Sequence, residues 1–143
     1  FRNNLGKTNN KYGRGDLLFY LNSNNTFVAE AKQEYLSLNR PPDEKKVISL
    51  LKTARKDAVR VPNYYGDAKR LGMVFMVPYS KSEPTDKTIR QWINKVKAIA
   101  ERQEIAAAWT FPSVARKIYW PEADGTGHYY PGVILLLKQP RKS

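Results

Sequence analysis

Three residues suited to phosphodiester chemistry stand near the start of the chain: Asp16, Glu30 and Lys32. Glu30 and Lys32 are two apart in Thr26–Tyr35. There Phe27, Ala29, Ala31 and Gln33 alternate with Val28, Glu30, Lys32 and Glu34. In a strand, residues two apart leave the same face. Asp16 precedes the apolar stretch Leu17–Leu21, and Asn22-Ser23-Asn24-Asn25 is a turn signal. A hairpin folded there returns Asp16 to the Glu30 region. Mg²⁺ or Mn²⁺ takes oxygen ligands, usually one or two carboxylates with waters and substrate phosphate. Such an ion polarises a scissile phosphate and acidifies a bound water. A lysine beside it orients that water or stabilises transition-state charge. The plainer account of the same residues is a solvated strand face.

These residues need a scaffold, and the rest of the chain predicts one. Pro41-Pro42-Asp43 opens a helix to about Val59, with Val47, Ile48, Leu51, Ala58 and Val59 inward. Lys45, Lys52, Lys56 and Arg60 share another face, either as a solvated surface or as a phosphate-facing ridge. Leu71–Tyr79 is a nearly continuous apolar run and reads as a buried strand. Pro84–Gln103 predicts a second amphipathic helix with Ile89, Trp92, Ile93, Val96, Ile99 and Ala100 inward. Ile105–Phe111, Ala115–Trp120 and Val133–Leu137 predict further strands, with a turn at Asp124–Gly127. The order β-β-α-β-α-β-(β)-β, with strands apolar on both faces, predicts an α/β (α+β) fold. The expected form is a three-layer sandwich, its central mixed β-sheet flanked by helices on both sides.

At 143 residues the chain fits a single domain, 1–143. It starts at Phe1 rather than Met and reads as a piece of a longer product. There is no cysteine, which excludes disulfides and Cys-ligated zinc. No apolar run reaches the roughly 20 residues of a membrane span, so no membrane partner is expected. The net charge of +12 attracts polyanions and favours nucleic acid as the partner.

Gly15-Asp16-Leu17 followed by Val28-Ala29-Glu30-Ala31-Lys32 resembles the signature of the PD-(D/E)xK nucleases. That superfamily holds restriction enzymes, Holliday-junction resolvases, the nuclease part of type I restriction motor subunits and many interbacterial toxin domains. The likeness covers the first half of the chain: hairpin, E-x-K strand, helix and buried strand. It implies a restriction-endonuclease-like core and a Mg²⁺- or Mn²⁺-dependent endonuclease. By this resemblance Asp16, Glu30 and the Ala31 carbonyl would hold the metal. Lys32 would be the catalytic lysine, Gln33 would help orient substrate, and Glu34 is a further acid. Gly15 stands where many members carry proline. Phe1–Gly15 contains no acid, whereas many members have an acidic helix before the first Asp.

The expected substrate is DNA, with RNA as the other polymer. Arg14, Lys45, Lys52, Lys56 and Lys117 are candidates for holding its backbone without reading sequence. By analogy with toxin and defence effectors, the chain would act in the cytoplasm after delivery from another cell, and would meet an acidic immunity or inhibitor protein. The alternative from a different class is a non-catalytic nucleic-acid-binding module with a degenerate site. A third is a structural module whose basic face meets protein.

Other residues carry weaker signals. His128 is the only histidine and reads as a loop residue, which disfavours triad and His-metal chemistry. Trp92 and Trp109 read as core. Tyr64, Tyr65, Tyr119, Trp120, Tyr129 and Tyr130 are candidates for base stacking.

Overall fold

The computed structural model describes residues 17–22, 25–60 and 67–138. Asp16, Arg14, Tyr64 and Tyr65 lie outside the described residues. In chain order the elements are β1 (Leu17–Asn22), β2 (Asn25–Ser37), α1 (Glu44–Val59), β3 (Lys69–Tyr79), α2 (Asp86–Arg102) and β4 (Ala106–Thr110). A 3₁₀ turn (Ala115–Lys117), β5 (Tyr119–Pro121), β6 (Gly127–Tyr129) and β7 (Val133–Lys138) follow.

β1 and β2 form the expected antiparallel hairpin, with Leu17 opposite Ala29. β2 runs parallel to β3, which pairs antiparallel with β7, and β7 pairs antiparallel with β4. The sheet order is therefore β1-β2-β3-β7-β4. Parallel neighbours need a crossover, and α1 supplies it between β2 and β3. α1 begins at Asp43, whose carboxylate accepts the Lys46 backbone N–H at 3.1 Å. That satisfies one of the orphan donors of the first turn. Val47, Leu51, Ala54 and Ala58, spaced by four, three and four, form its buried stripe. Val59 was expected in that stripe but is 59% exposed. It lies about 100° around the helix from Ala58, past the edge of the stripe.

The expected placement of helices on both faces does not hold among the described residues. Val47 and Leu51 of α1 share one core with Trp92, Val96 and Ala100 of α2, Val74 and Met76 of β3, and Ile134 and Leu136 of β7. Val74 pairs with Leu136 and Met76 with Ile134, so these side chains leave the same sheet face. Both helices cover that face. The reason is connection handedness: β2-α1-β3 and β3-α2-β4 join parallel strands and advance across the sheet in one direction. Right-handed crossovers then put both helices on one side. The opposite face carries Met73, Phe75, Leu135 and Leu137, apolar enough to make β3 and β7 read as strands buried on both faces.

The end of α2 is specific. Glu104 has φ of 53°, in the left-handed region. The Ile105 N–H reaches back to the Ala100 carbonyl at 2.9 Å and the Glu104 N–H to the Glu101 carbonyl at 3.4 Å, a Schellman stop. A β-carbon is disfavoured there by about 1–2 kcal/mol, partly offset in glycine by its larger unfolded-state freedom. Glu104→Gly is therefore expected to stabilise the protein by a few tenths to about 1 kcal/mol. A rise in the urea midpoint with unchanged slope would show it; a fall would mean that the Glu104 side chain contributes more than its backbone strain costs.

Candidate active site

Glu30 is a carboxylate at 6% exposure in β2, on the face that α1 and α2 cover. Lys32 and Glu34 follow on that face, at intervals of roughly 6.6 Å for two residues of strand. The register places Glu30 beside Gly72, Lys32 beside Val74 and Glu34 beside Met76. Gly72 has a steric role. A β-carbon there would stand 2.5 Å from Arg55 Cγ and 2.7 Å from the Arg55 backbone nitrogen. Only glycine lets α1 settle this closely on β3, next to Glu30.

α1 reaches back to β2 at two points. Lys32 Nζ donates to Asp57 Oδ2 at 2.7 Å, and both side chains are mostly shielded from water, at 18% and 25% exposure. Lys46 Nζ pairs with Glu34 Oε1 at 2.6 Å. Hydrogen bonding to Glu34, reinforced by its charge, holds the Lys46 ammonium above the ordinary lysine value. Asp57 and Lys46 are eleven positions apart in sequence, close to three turns of helix, so they lie on one flank of α1.

Several sequence expectations find their places. Glu30 and Lys32 do share a face. Ala31 lies between them, with its side chain on the other face. Gln33 also lies on that other face, exposed, and its Nε2 donates to the Tyr35 hydroxyl at 2.9 Å. It is therefore not grouped with Glu30 and Lys32. Asp16 lies outside the described residues, so its approach to Glu30 is not described. Lys45, Lys52 and Lys56 are all exposed and fall within about 40° of one another around α1, forming one ridge. Lys117 is exposed in the 3₁₀ turn. Its neighbour Arg116 pairs with Asp86 at the start of α2.

Sequence reasoning did not single out Asp57, which the tertiary structure joins to Lys32. Its only sequence signal is an acid on the polar side of a basic helix.

The aromatic expectations divide. Trp92 is buried, and its Nε1 donates to the Arg40 carbonyl at 3.1 Å. Trp109, expected in the core, is 41% exposed on the edge strand β4, with Lys97 Nζ 5.8 Å from its ring centroid. Tyr119 and Trp120 are exposed on β5, and the Tyr119 ring packs against Tyr129 at 5.3 Å. His128 lies in strand β6 rather than in a loop. Its Nδ1 is 3.2 Å from Glu122 Oε1 and its ring meets Tyr79 edge-on.

No family model matches the chain, and neither the curated proteins nor the solved structures compared with it give a match.

The site's chemistry follows from its donors. Among the described residues no group of three or more His, Cys, Asp or Glu could hold a metal ion. The Glu30 carboxylate nevertheless fits what hard divalent cations take, one or two carboxylates completed by water and phosphate. Asp57 is a second carboxylate on the helix-covered face and is occupied by Lys32. Lys32 therefore stands as a positioned ammonium near a shielded carboxylate.

Among the described residues no helix is long and apolar enough to cross a membrane.

Proposed function

We propose that this protein is a metal-dependent endonuclease hydrolysing phosphodiester bonds, of DNA in preference to RNA, built on a restriction-endonuclease-like core. The observation that carries the reading is the tether of Lys32 to Asp57 at 2.7 Å, two strand positions from the shielded Glu30. The antiparallel hairpin, the E-x-K strand and the α1 crossover to a parallel strand support the core assignment.

In this reading Glu30, Asp16 and the Ala31 carbonyl would be the oxygen ligands of Mg²⁺ or Mn²⁺. When bound, such an ion would supply polarisation of the phosphate and a more acidic water. Lys32 donates to a non-bridging phosphate oxygen or holds the attacking water, and Asp57 fixes where its ammonium stands. The Lys45–Lys52–Lys56 ridge attracts the backbone without reading its sequence. A role as a toxin or defence effector, restrained by an acidic partner protein, suits the net charge of +12.

Plasmid, linear DNA and RNA incubated with Mg²⁺, Mn²⁺ or EDTA test this. Cleavage of DNA with metal, abolished by EDTA and by Glu30→Ala, is expected. Cleavage that persists in Glu30→Ala would remove Glu30 from the site.

A second reading is favoured by the same ion pair, since a tie between strand and helix also serves structure alone. It is a non-catalytic nucleic-acid-binding module. It predicts salt-dependent binding with no cleavage in any metal, surviving Lys32→Ala.

A further inference from the structure

Arg55 and Asp57 are two residues apart on α1, about 200° around the helix, so they project from opposite flanks. Asp57 meets Lys32. On the Arg55 side, Lys52, Arg55, Lys138 and Gln103 line a cleft of about 80 Å³ with Ile48 and Ile105. That is several times the roughly 10–15 Å³ that admits one water. Three cations face this cleft, and no acidic residue lines it among the described residues.

Two details suit it to an anion. Arg55 Nε is buried with no hydrogen-bond partner. A buried donor left without an acceptor is costly and calls for an explanation. Its position is imposed by the close seating of α1 over Gly72, since Arg55 Cγ and backbone lie where a β-carbon at that glycine would stand. Lys138 pairs with Gly72 across the sheet, in the same row as Glu30, and leaves the helix-covered face. Its Nζ donates to the Gln103 carbonyl at 2.7 Å, which leaves two further N–H donors on the ammonium.

We infer that this cleft is a phosphate-binding subsite for a nucleic-acid strand crossing α1. Arg55 Nε–H donates to a non-bridging phosphate oxygen, and Lys138 and Lys52 complete the charge. A polymer is favoured over a free ion by continuity. Lys52 belongs both to the cleft and to the exposed ridge with Lys45 and Lys56, so cations run from the cleft onto the outer face of α1. The cleft and Glu30 lie on either side of α1, about two strand spacings or roughly 10 Å apart across the sheet. The identity of the polymer rests on the nuclease reading, but binding here does not depend on cleavage.

The test is fluorescence anisotropy of a short labelled oligonucleotide in EDTA over a range of salt, with wild type, Arg55→Gln, Arg55→Lys and Lys52→Gln. Circular dichroism melting confirms that each variant folds, and Lys52 is exposed enough that its replacement leaves the fold intact. Arg55→Gln is expected to weaken binding about tenfold for all sequences and to lower the salt slope by about one. Arg55→Lys should restore the slope but only part of the affinity, because it lacks Nε–H. Lys52→Gln should lower the slope. Wild-type affinity and slope in both Arg55→Gln and Lys52→Gln would overturn the subsite. Inorganic phosphate alone provides a separate arm. If it raises the melting temperature of wild type but not of Arg55→Gln, while oligonucleotide binding is the same in both, the cleft is a small-anion site and the polymer assignment fails. Cleft-dependent oligonucleotide binding without cleavage in Mg²⁺ or Mn²⁺ would uphold the subsite and sink only the nuclease reading.

Discussion

For the nuclease proposed above, Lys32→Ala is expected to lower the cleavage rate at saturating DNA by about 10²–10³, the usual cost of removing one group that stabilises transition-state charge. Asp57→Asn falls between this variant and wild type, at about 10–100-fold, because it loosens the ammonium without removing it. The two effects do not add. Once Lys32 is alanine, Asp57 has no ammonium to position, so the double variant cleaves no more slowly than Lys32→Ala alone. This non-additivity separates a positioning role from independent roles, and steady-state kinetics on the four proteins measures it. The effect should appear in kcat more than in KM, since the interaction is made in the transition state. Additive losses would mean that Asp57 acts by some route other than Lys32. Stability gives a second readout. The pair is shielded but not fully buried, at 18% and 25% exposure, so its loss should cost well below the 3–5 kcal/mol typical of breaking a fully buried pair.

Gly72→Ala is expected to destabilise the protein by about 1–3 kcal/mol, the range for forcing extra atoms into a packed interior. For a chain of this size that is a fall of very roughly 3–10 °C in the melting temperature. The cause is specific. Two of the three atoms nearest the added β-carbon are the Arg55 backbone nitrogen and Cα, at 2.7 and 3.0 Å. Shortening the Arg55 side chain therefore does not make room, and Gly72→Ala with Arg55→Ala should remain at least as unstable as Gly72→Ala. Recovery in the double variant would show that the Arg55 side chain, rather than the seating of the helix, is what fills the space. Because α1 also carries Asp57, lifting it off β3 is expected, for the proposed nuclease, to reduce cleavage beyond what the loss of folded protein explains.

Much of the scaffold was legible in the sequence because its signals are local. Asp43 before the apolar positions 47, 51 and 58 marks where α1 starts and which side turns inward, although Val59 falls outside the buried stripe and Ala54 within it. The alternation through Thr26–Tyr35 puts Glu30, Lys32 and Glu34 on one face and Gln33 on the other, whatever the strand packs against. Trp109 shows where such reasoning stops. An aromatic in an apolar run looks like core, but β4 is the last strand of the sheet, and exposure there is decided by strand order. The strand expected over Ala115–Trp120 is instead a 3₁₀ turn at Ala115–Lys117 followed by the short β5 from Tyr119, for a related reason. Strands of three residues carry too little periodicity to be read.

The candidate site divides in the same way. The residues of β2 were placed by the two-residue period of a strand, a property of the chain itself. Three features depended on how distant segments met: the Lys32–Asp57 pair, the cleft around Arg55 and the covering of one sheet face by both helices. Lys32 and Asp57 are 25 positions apart, and Arg55 meets residues of β3 and β7. Such meetings follow from crossover handedness and the depth to which a glycine lets a helix sink, neither of which leaves a pattern in any one segment. The sequence by itself determined the two helices and the longer strands, and which β2 residues share a face. The tertiary structure alone decided which helix flank reaches Lys32, because that depends on the register between α1 and the sheet, and Gly72 is what allows that register.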